Sequence, residues 1–310
     1  MKKRAFLILR ILITTGLLYY VYSQIDRYTL LNIIKKGNVT LLIYALIVFI
    51  LSNITGSFQW YILLIIHRLK IKYWYIFRLY LSSAFFNNFL PSNIGGDVVK
   101  AYKFVKNKRN SEIALSSIIW DRAVSFYILL FFTSFSSIFV LKKVYIFIIF
   151  LTVSVIGVIS LKFIIKKRIT GSILRNIRNE KIRTFLDNFF KTFKFYFRLN
   201  RKTLFYYVVA VITQFLKIFI NYFIVLYLGL KISLIEIYFI IPVIGMISIL
   251  PISINGIGLR ESAGSYLFGL INKSGITTSI LFSIGNIIIT IGNSFGAIFL
   301  KWGTEDDIVK

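Results

Sequence analysis

Six apolar runs dominate this 310-residue sequence, near 5–25, 41–66, 113–141, 144–165, 203–229 and 278–301. Each is long enough to cross about 30 Å of hydrocarbon as an α-helix. Lipid offers no hydrogen bonds, so a backbone that crosses it must satisfy its own N–H and C=O groups. The expectation is an all-α polytopic integral membrane protein with about six transmembrane helices. Composition agrees: hydrophobic residues make up 57% and charged residues 16%, against roughly 45–50% and 25% in soluble domains. The first run ends Leu-Leu-Tyr-Tyr-Val-Tyr-Ser-Gln. A cleavable signal needs small residues there, so this run is expected to remain as an anchor.

Two further apolar stretches are short and interrupted. Residues 76–90 lead into Pro91-Ser92-Asn93-Ile94-Gly95-Gly96-Asp97 and a weakly apolar piece to about 105. Residues 235–250 lead into Pro251 through Gly258 and then 259–271. Neither half of either stretch spans a bilayer alone, and broken backbone at membrane depth survives only inside protein or beside water. They read as two re-entrant broken-helix hairpins, 76–105 and 235–271. Charge then sets direction. With the N-terminus cytoplasmic and both hairpins returning to their own side, the inside segments hold 27 Lys and Arg and the outside segments 7. The positive-inside rule favours that arrangement, with both termini cytoplasmic in a multi-pass protein of the cell membrane.

The two broken stretches also match each other. Pro91 to Lys100 aligns without gaps on Pro251 to Arg260, sharing Leu-Pro, Ile at +3, Gly at +5 and a cation at +9. Apolar runs flank each at similar distances. A single domain over 1–310 is expected to contain an inverted-topology repeat, about 41–141 and about 203–301, as many transporters do. Between the repeats lies the basic segment 166–202. There Ile182, Phe185, Phe189, Phe193 and Phe197 recur at helical spacing among Arg183, Lys191, Lys194 and Arg198. It reads as an amphipathic helix in the membrane interface, or equally as a basic loop that fixes topology.

The polar inventory narrows the chemistry. With no cysteine and one histidine, His67, thiol chemistry, haem pairs, HExxH zinc sites and Ser-His-Asp triads fall away. No cofactor or metal is expected. A net charge of +27 in so apolar a chain points to anionic membrane lipids rather than nucleic acid. A helix that restarts inside the membrane offers unpaired N–H groups and a positive dipole end. Pro91 and Pro251 would act as hinges, with Ser92, Asn93, Gly95 and Gly96 on one restart and Asn255, Gly256 and Gly258 on the other. Lys100 and Arg260 add charge, so two such ends meeting near the midplane would cradle a lipid phosphate. Asp97 and Glu261 would neutralise the empty site, take up a coupling proton or cation, or lock the hairpins to nearby cations.

Other runs carry polar stripes. Thr213, Lys217 and Asn221 share a face, with Gln214 alongside; so do Ser117, Asp121 and Ser125, and so do Ser279, Ser283, Asn286, Thr290 and Asn293. The neutral stripes and Gly292-xxx-Gly296 read as helix packing. Lys217, Asp121 and Arg122 read as functional, because charge within a membrane is costly. Adjacent Asp121 and Arg122 point apart. Each needs its own partner, Lys100 or Arg260 for one and Asp97 or Glu261 for the other.

Asn87-Asn88-Phe89-Leu90-Pro91 with Gly95-Gly96-Asp97, then Asp121-Arg122, then Pro251 with Gly256-Ile257-Gly258-Leu259-Arg260-Glu261, resembles the transmembrane flippase region of lysylphosphatidylglycerol synthetases. That resemblance implies a region that moves lipid between leaflets, aminoacylated phosphatidylglycerol in the fused proteins. By motif it singles out Asn88, Pro91, Gly95, Gly96, Asp97, Asp121, Arg122, Pro251, Gly256, Gly258, Arg260 and Glu261. No aminoacyl-transferring domain follows the last run, so a transporter rather than an enzyme is expected. Its cargo would be an anionic or aminoacylated phospholipid or an isoprenoid-linked lipid, and a separate synthase or glycosyltransferase is a candidate partner. The alternatives are a membrane-embedded transferase using Asp97, Asp121 or Glu261, and a small-solute transporter of the same architecture. The sequence lacks a phosphate-binding G-xxxx-GK[ST] loop, so direct ATP drive is not expected.

Overall fold

A computed structural model describes residues 37–88, 95–108, 110–142, 144–164, 177–248, 259–271, 286 and 289–299. The described residues are helical apart from turns and short connections. Among the described residues, three helices are long and apolar enough to cross a membrane: α1 (Val39–Ile66), α4 (Ser111–Leu141) and α7 (Arg201–Tyr227). Between them lie α2 (Tyr73–Asn87), α3 (Gly95–Lys108), α5 (Val144–Ile164) and α6 (Glu180–Tyr196). After α7 come α8 (Leu234–Ile247), α9 (Leu259–Leu270) and an apolar segment, Ile289–Phe299, that ends in 3-10 turns. The expected run at 5–25 lies outside the described residues, and that at 278–301 lies partly so.

Local chemistry explains the helix ends. Asn38 caps α1 by accepting from the Thr40 N–H, and Asn179 caps α6 through the Lys181 and Ile182 N–H groups. α7 and α8 begin with reciprocal caps, Asn200 with Thr203 and Ser233 with Glu236. These side chains satisfy donors that a helix start leaves open. Lys142, with φ 52°, ends α4 in a left-handed turn, and Gly229, with φ 70°, does so just after α7.

α1 and α7 pack antiparallel along their length. Ile62, Leu63 and Ile66 of α1 meet Tyr206, Val209 and Ala210 of α7 at one end. Ala45 meets Ile220, Ile224 and Leu228 at the other. The two half-length pairs sit at opposite ends of this axis. The outer ends of α2 and α3, with Tyr75, Ile76 and Phe104, bury against Trp60 and Leu64 of α1 and Ile118 of α4. The outer ends of α8 and α9, with Ile237, Phe239 and Phe268, bury against Ile218 and Val225 of α7. Phe132, Val140 and Leu141, toward the far end of α4, pack against this second cluster. α2 lies along Ile289–Phe299, while α8 lies along α4. Gly296 makes the first approach possible, because a Cβ there would overlap the Leu81 carbonyl.

The remaining apolar surface faces outward, as a bilayer requires. Ile43, Ile47, Ile50 and Ile54 of α1 are exposed, as are Ile148, Val155 and Ile159 of α5. α5 packs along α4.

The basic segment departs from a helix lying wholly in lipid. α6 docks its C-terminal half on the bundle: Phe193 and Tyr196 are buried, and Trp120 packs on Phe193 and Phe197 at ring separations of 5.1 and 4.5 Å. Ile182, at the other end, is 50% exposed. The apolar stripe is continuous in sequence, but only its second half lies over α1, α4 and α7.

Candidate functional site

The inner ends of both half-length pairs line one cavity of about 380 Å³. Its wall takes Asn53 from α1, Ser125 and Leu129 from α4, and Gln214 and Lys217 from α7. These positions fall near the middle of the three long helices, so the cavity sits at mid-depth. Asn87, Asn88, Asp97 and Lys100 come from the first pair, and Gly245 and Arg260 from the second. Asn286, Thr290 and Asn293 complete it.

α3 builds the charged wall. Asp97 and Lys100 are one turn apart, and both are nearly inaccessible, at 5% and 3%. Lys100 Nζ lies 3.1 Å from Asp97 Oδ1 and 4.6 Å above the centre of the Trp60 ring, which adds cation–π attraction. The Arg122 Nε–H donates to the other oxygen of Asp97, yet the Arg122 side chain keeps 47% of its surface open. Asp97 therefore holds two cations, and both line the cavity. α3 can approach α2 this closely because residue 96 is glycine. A Cβ there would overlap the Ser83 carbonyl oxygen, and the Gly96 N–H donates to Asn87 Oδ1 at 2.7 Å.

Asp121 differs from expectation. It forms no ion pair among the described residues; its Oδ1 accepts from Gln59 Nε2 at 2.7 Å and the Tyr206 hydroxyl at 3.1 Å. α1 and α7 reach it with neutral donors, because their antiparallel packing brings Gln59 and Tyr206 beside this turn of α4. Sequence reasoning passed over both residues. The signal available was a Gln embedded in an apolar run, since an amide buried at that depth needs a partner. Lys217 and Arg260 also form no ion pair among the described residues, and the buried Arg260 Nε has no hydrogen-bond partner.

The polar stripes divide. Lys217 lines the cavity, whereas Thr213 bonds its own helix at Val209 and Asn221 bonds Lys217 O. Ser117 accepts from Trp60 Nε1, while Ser125 accepts from Gln214 at the cavity wall. Asn88 ties the end of α2 to the last segment by donating to Thr290 O at 3.0 Å and Ser294 Oγ at 3.3 Å. Of the residues singled out from sequence, Asn88, Asp97, Lys100, Asp121, Arg122, Lys217 and Arg260 thus share one cavity. Gly95 and Gly96 open α3. Glu261 is buried at 4% beside Arg260 and is not among the described residues that line the cavity. Pro91, Ser92, Asn93, Pro251, Asn255, Gly256 and Gly258 lie outside the described residues.

Long apolar helices around a polar, cation-rich cavity define an all-α integral membrane protein. Their chemistry suits an anion held out of bulk water rather than a soluble-domain active site. The chain belongs to the lysylphosphatidylglycerol synthase TM region family, whose model matches residues 7–291. It is therefore a membrane protein of lipid metabolism or transport. No curated protein and no solved structure gives a significant match.

Proposed function

We propose that this protein moves an anionic lipid between the leaflets of the cell membrane, holding its phosphate headgroup in the mid-depth cavity. The observation that carries the reading is the charge of the wall. Among the described lining residues, Lys100, Arg122, Lys217 and Arg260 oppose Asp97 and Asp121, a formal excess of two positive charges at a depth where unbalanced charge is costly. Phosphate oxygens match Arg and Lys donors in charge and geometry.

The helix arrangement supports movement rather than static binding. Each half of the chain supplies a long helix, a half-length pair and a closing segment, with the pairs based at opposite ends of the α1–α7 axis. α2 lies on the last segment of the second half as α8 lies on the last helix of the first. We read this as an inverted-topology repeat with two re-entrant hairpins, so rocking one half against the other would expose the cavity to each leaflet in turn. We read both termini as cytoplasmic, because that orientation keeps 27 Lys and Arg inside and 7 outside.

Leaflet exchange in proteoliposomes tests the reading. Fluorescent anionic phospholipid is reconstituted with purified protein, and its accessibility to an impermeant quencher is followed. Exchange should exceed the empty-liposome rate and fall at least about tenfold in Arg260→Ala, the effect of losing roughly 1.4 kcal/mol of transition-state stabilisation. The variant should retain its melting temperature. An exchange rate equal to that of empty liposomes, or a variant as active as the parent, would defeat the proposal.

A further inference from the structure

The four cations among the described lining residues are not equivalent, and their division identifies the class of headgroup. Lys100 and Arg122 share the carboxylate of Asp97. Lys217 and Arg260 line the same space with no ion pair among the described residues, and the buried Arg260 Nε lacks a hydrogen-bond partner. With both carboxylates ionised, the described wall carries +2. A ligand of charge −2 brings the filled cavity to neutrality, a monoanion leaves +1, and a lysine ester of phosphatidylglycerol, itself net +1, raises the total to +3. Protonation of Asp121 adds one to every total and leaves the order unchanged. Burying uncompensated charge is the dominant penalty at this depth.

We infer that the cavity selects a dianionic headgroup, a lipid phosphomonoester or diphosphate, over phosphodiester and aminoacylated phospholipids. This inference deepens the translocation reading and rests on it. A phosphomonoester carries about −1.5 to −2 at pH 7 and presents three acceptor oxygens. Lys217 and Arg260, which no described carboxylate pairs, take that charge. A phosphodiester has one charge and two free oxygens, which leaves one cation of the open pair unmatched. The prediction runs against the aminoacylated lipid that the family's description suggests.

Binding and exchange are measured separately, so that the two readings can fail independently. The purified full chain in detergent is titrated with short-chain phosphatidic acid, phosphatidylglycerol, lysylphosphatidylglycerol and free glycerol phosphate, reading the shift in melting temperature at pH 7.5. Phosphatidic acid should bind about tenfold more tightly than phosphatidylglycerol, the ratio expected for one additional charge contact. Lys217→Gln and Arg260→Gln should each shrink that ratio toward one, while Lys217→Arg should keep it. Each variant's ligand-free melting temperature reports whether it is folded. Equal or tighter binding of phosphatidylglycerol or its lysyl ester overturns the inference, even if those lipids exchange between leaflets. Glycerol phosphate binding as tightly as phosphatidic acid overturns the lipid assignment in favour of a soluble phosphate. Tight phosphatidic acid binding without exchange in proteoliposomes upholds the ligand class and removes translocation.

Discussion

Gly96 sits where α3 crosses α2 with no room for a side chain, and its N–H is held by Asn87. Gly96→Ala should push the helices apart and cost about 1–3 kcal/mol, the usual penalty for overfilling a packed contact. A fall in melting temperature checks this. His67, just past the end of α1, packs against Phe195 and Tyr196 of α6 at ring distances of 5.2 and 5.1 Å. Its buried Nε2 has no hydrogen-bond partner, and burial lowers its pKa from the ordinary 6.5. The unfolded chain then binds a proton that the folded chain refuses, so stability is complete above about pH 6.5 and declines as pH falls through the lowered value. Melting temperatures from pH 8 to 5 should show the decline, and His67→Phe should flatten it. Residues of this kind were only half legible. A glycine beside an Asp-containing turn could be flagged, but the Ser83 carbonyl that it must admit belongs to another helix.

α6 shows how an element's pattern and its placement separate. The spacing of Phe185, Phe189, Phe193 and Phe197 specified a helix with one apolar face. What covers that face depends on Trp120, Tyr206 and the end of α1, far away in sequence. Phe193→Ala should therefore undock the helix, at a cost of about 3–5 kcal/mol for an aromatic lost from a core. Faster cleavage near residues 177–200 by a protease added to the purified protein would register it. Ile182→Ala, at an exposed position, should leave cleavage unchanged. The half-length pairs were more legible, because Pro, Gly and short apolar runs are local signals. Their bounds moved little: α2 starts at Tyr73 rather than 76, and α3 continues to Lys108.

Across the whole molecule, the charge balance of the cavity wall turns on Asp97. It is the shared counter-ion of Lys100 and Arg122, and Lys100 is too buried to find water. Asp97→Asn should cost about 3–5 kcal/mol, because it strands a buried ammonium beside Arg122. The double variant Asp97→Asn/Lys100→Met should recover part of that loss in thermal melts. Such a recovery would place the penalty in uncompensated charge rather than in lost packing.

Sequence alone determined that this chain lives in a membrane as helices, because long apolar runs cannot satisfy their backbone in lipid any other way. It also marked Asp97, Lys100, Asp121, Arg122, Lys217 and Arg260, since ionisable groups in apolar surroundings stand out without a structure. Only the tertiary structure decided how those charges are shared. Asp97 takes two cations, Asp121 takes Gln59 and Tyr206, and Lys217 and Arg260 are left facing the cavity. Partner choice depends on distances of a few ångströms between helices remote in sequence, and helical periodicity specifies a face without specifying what it will meet.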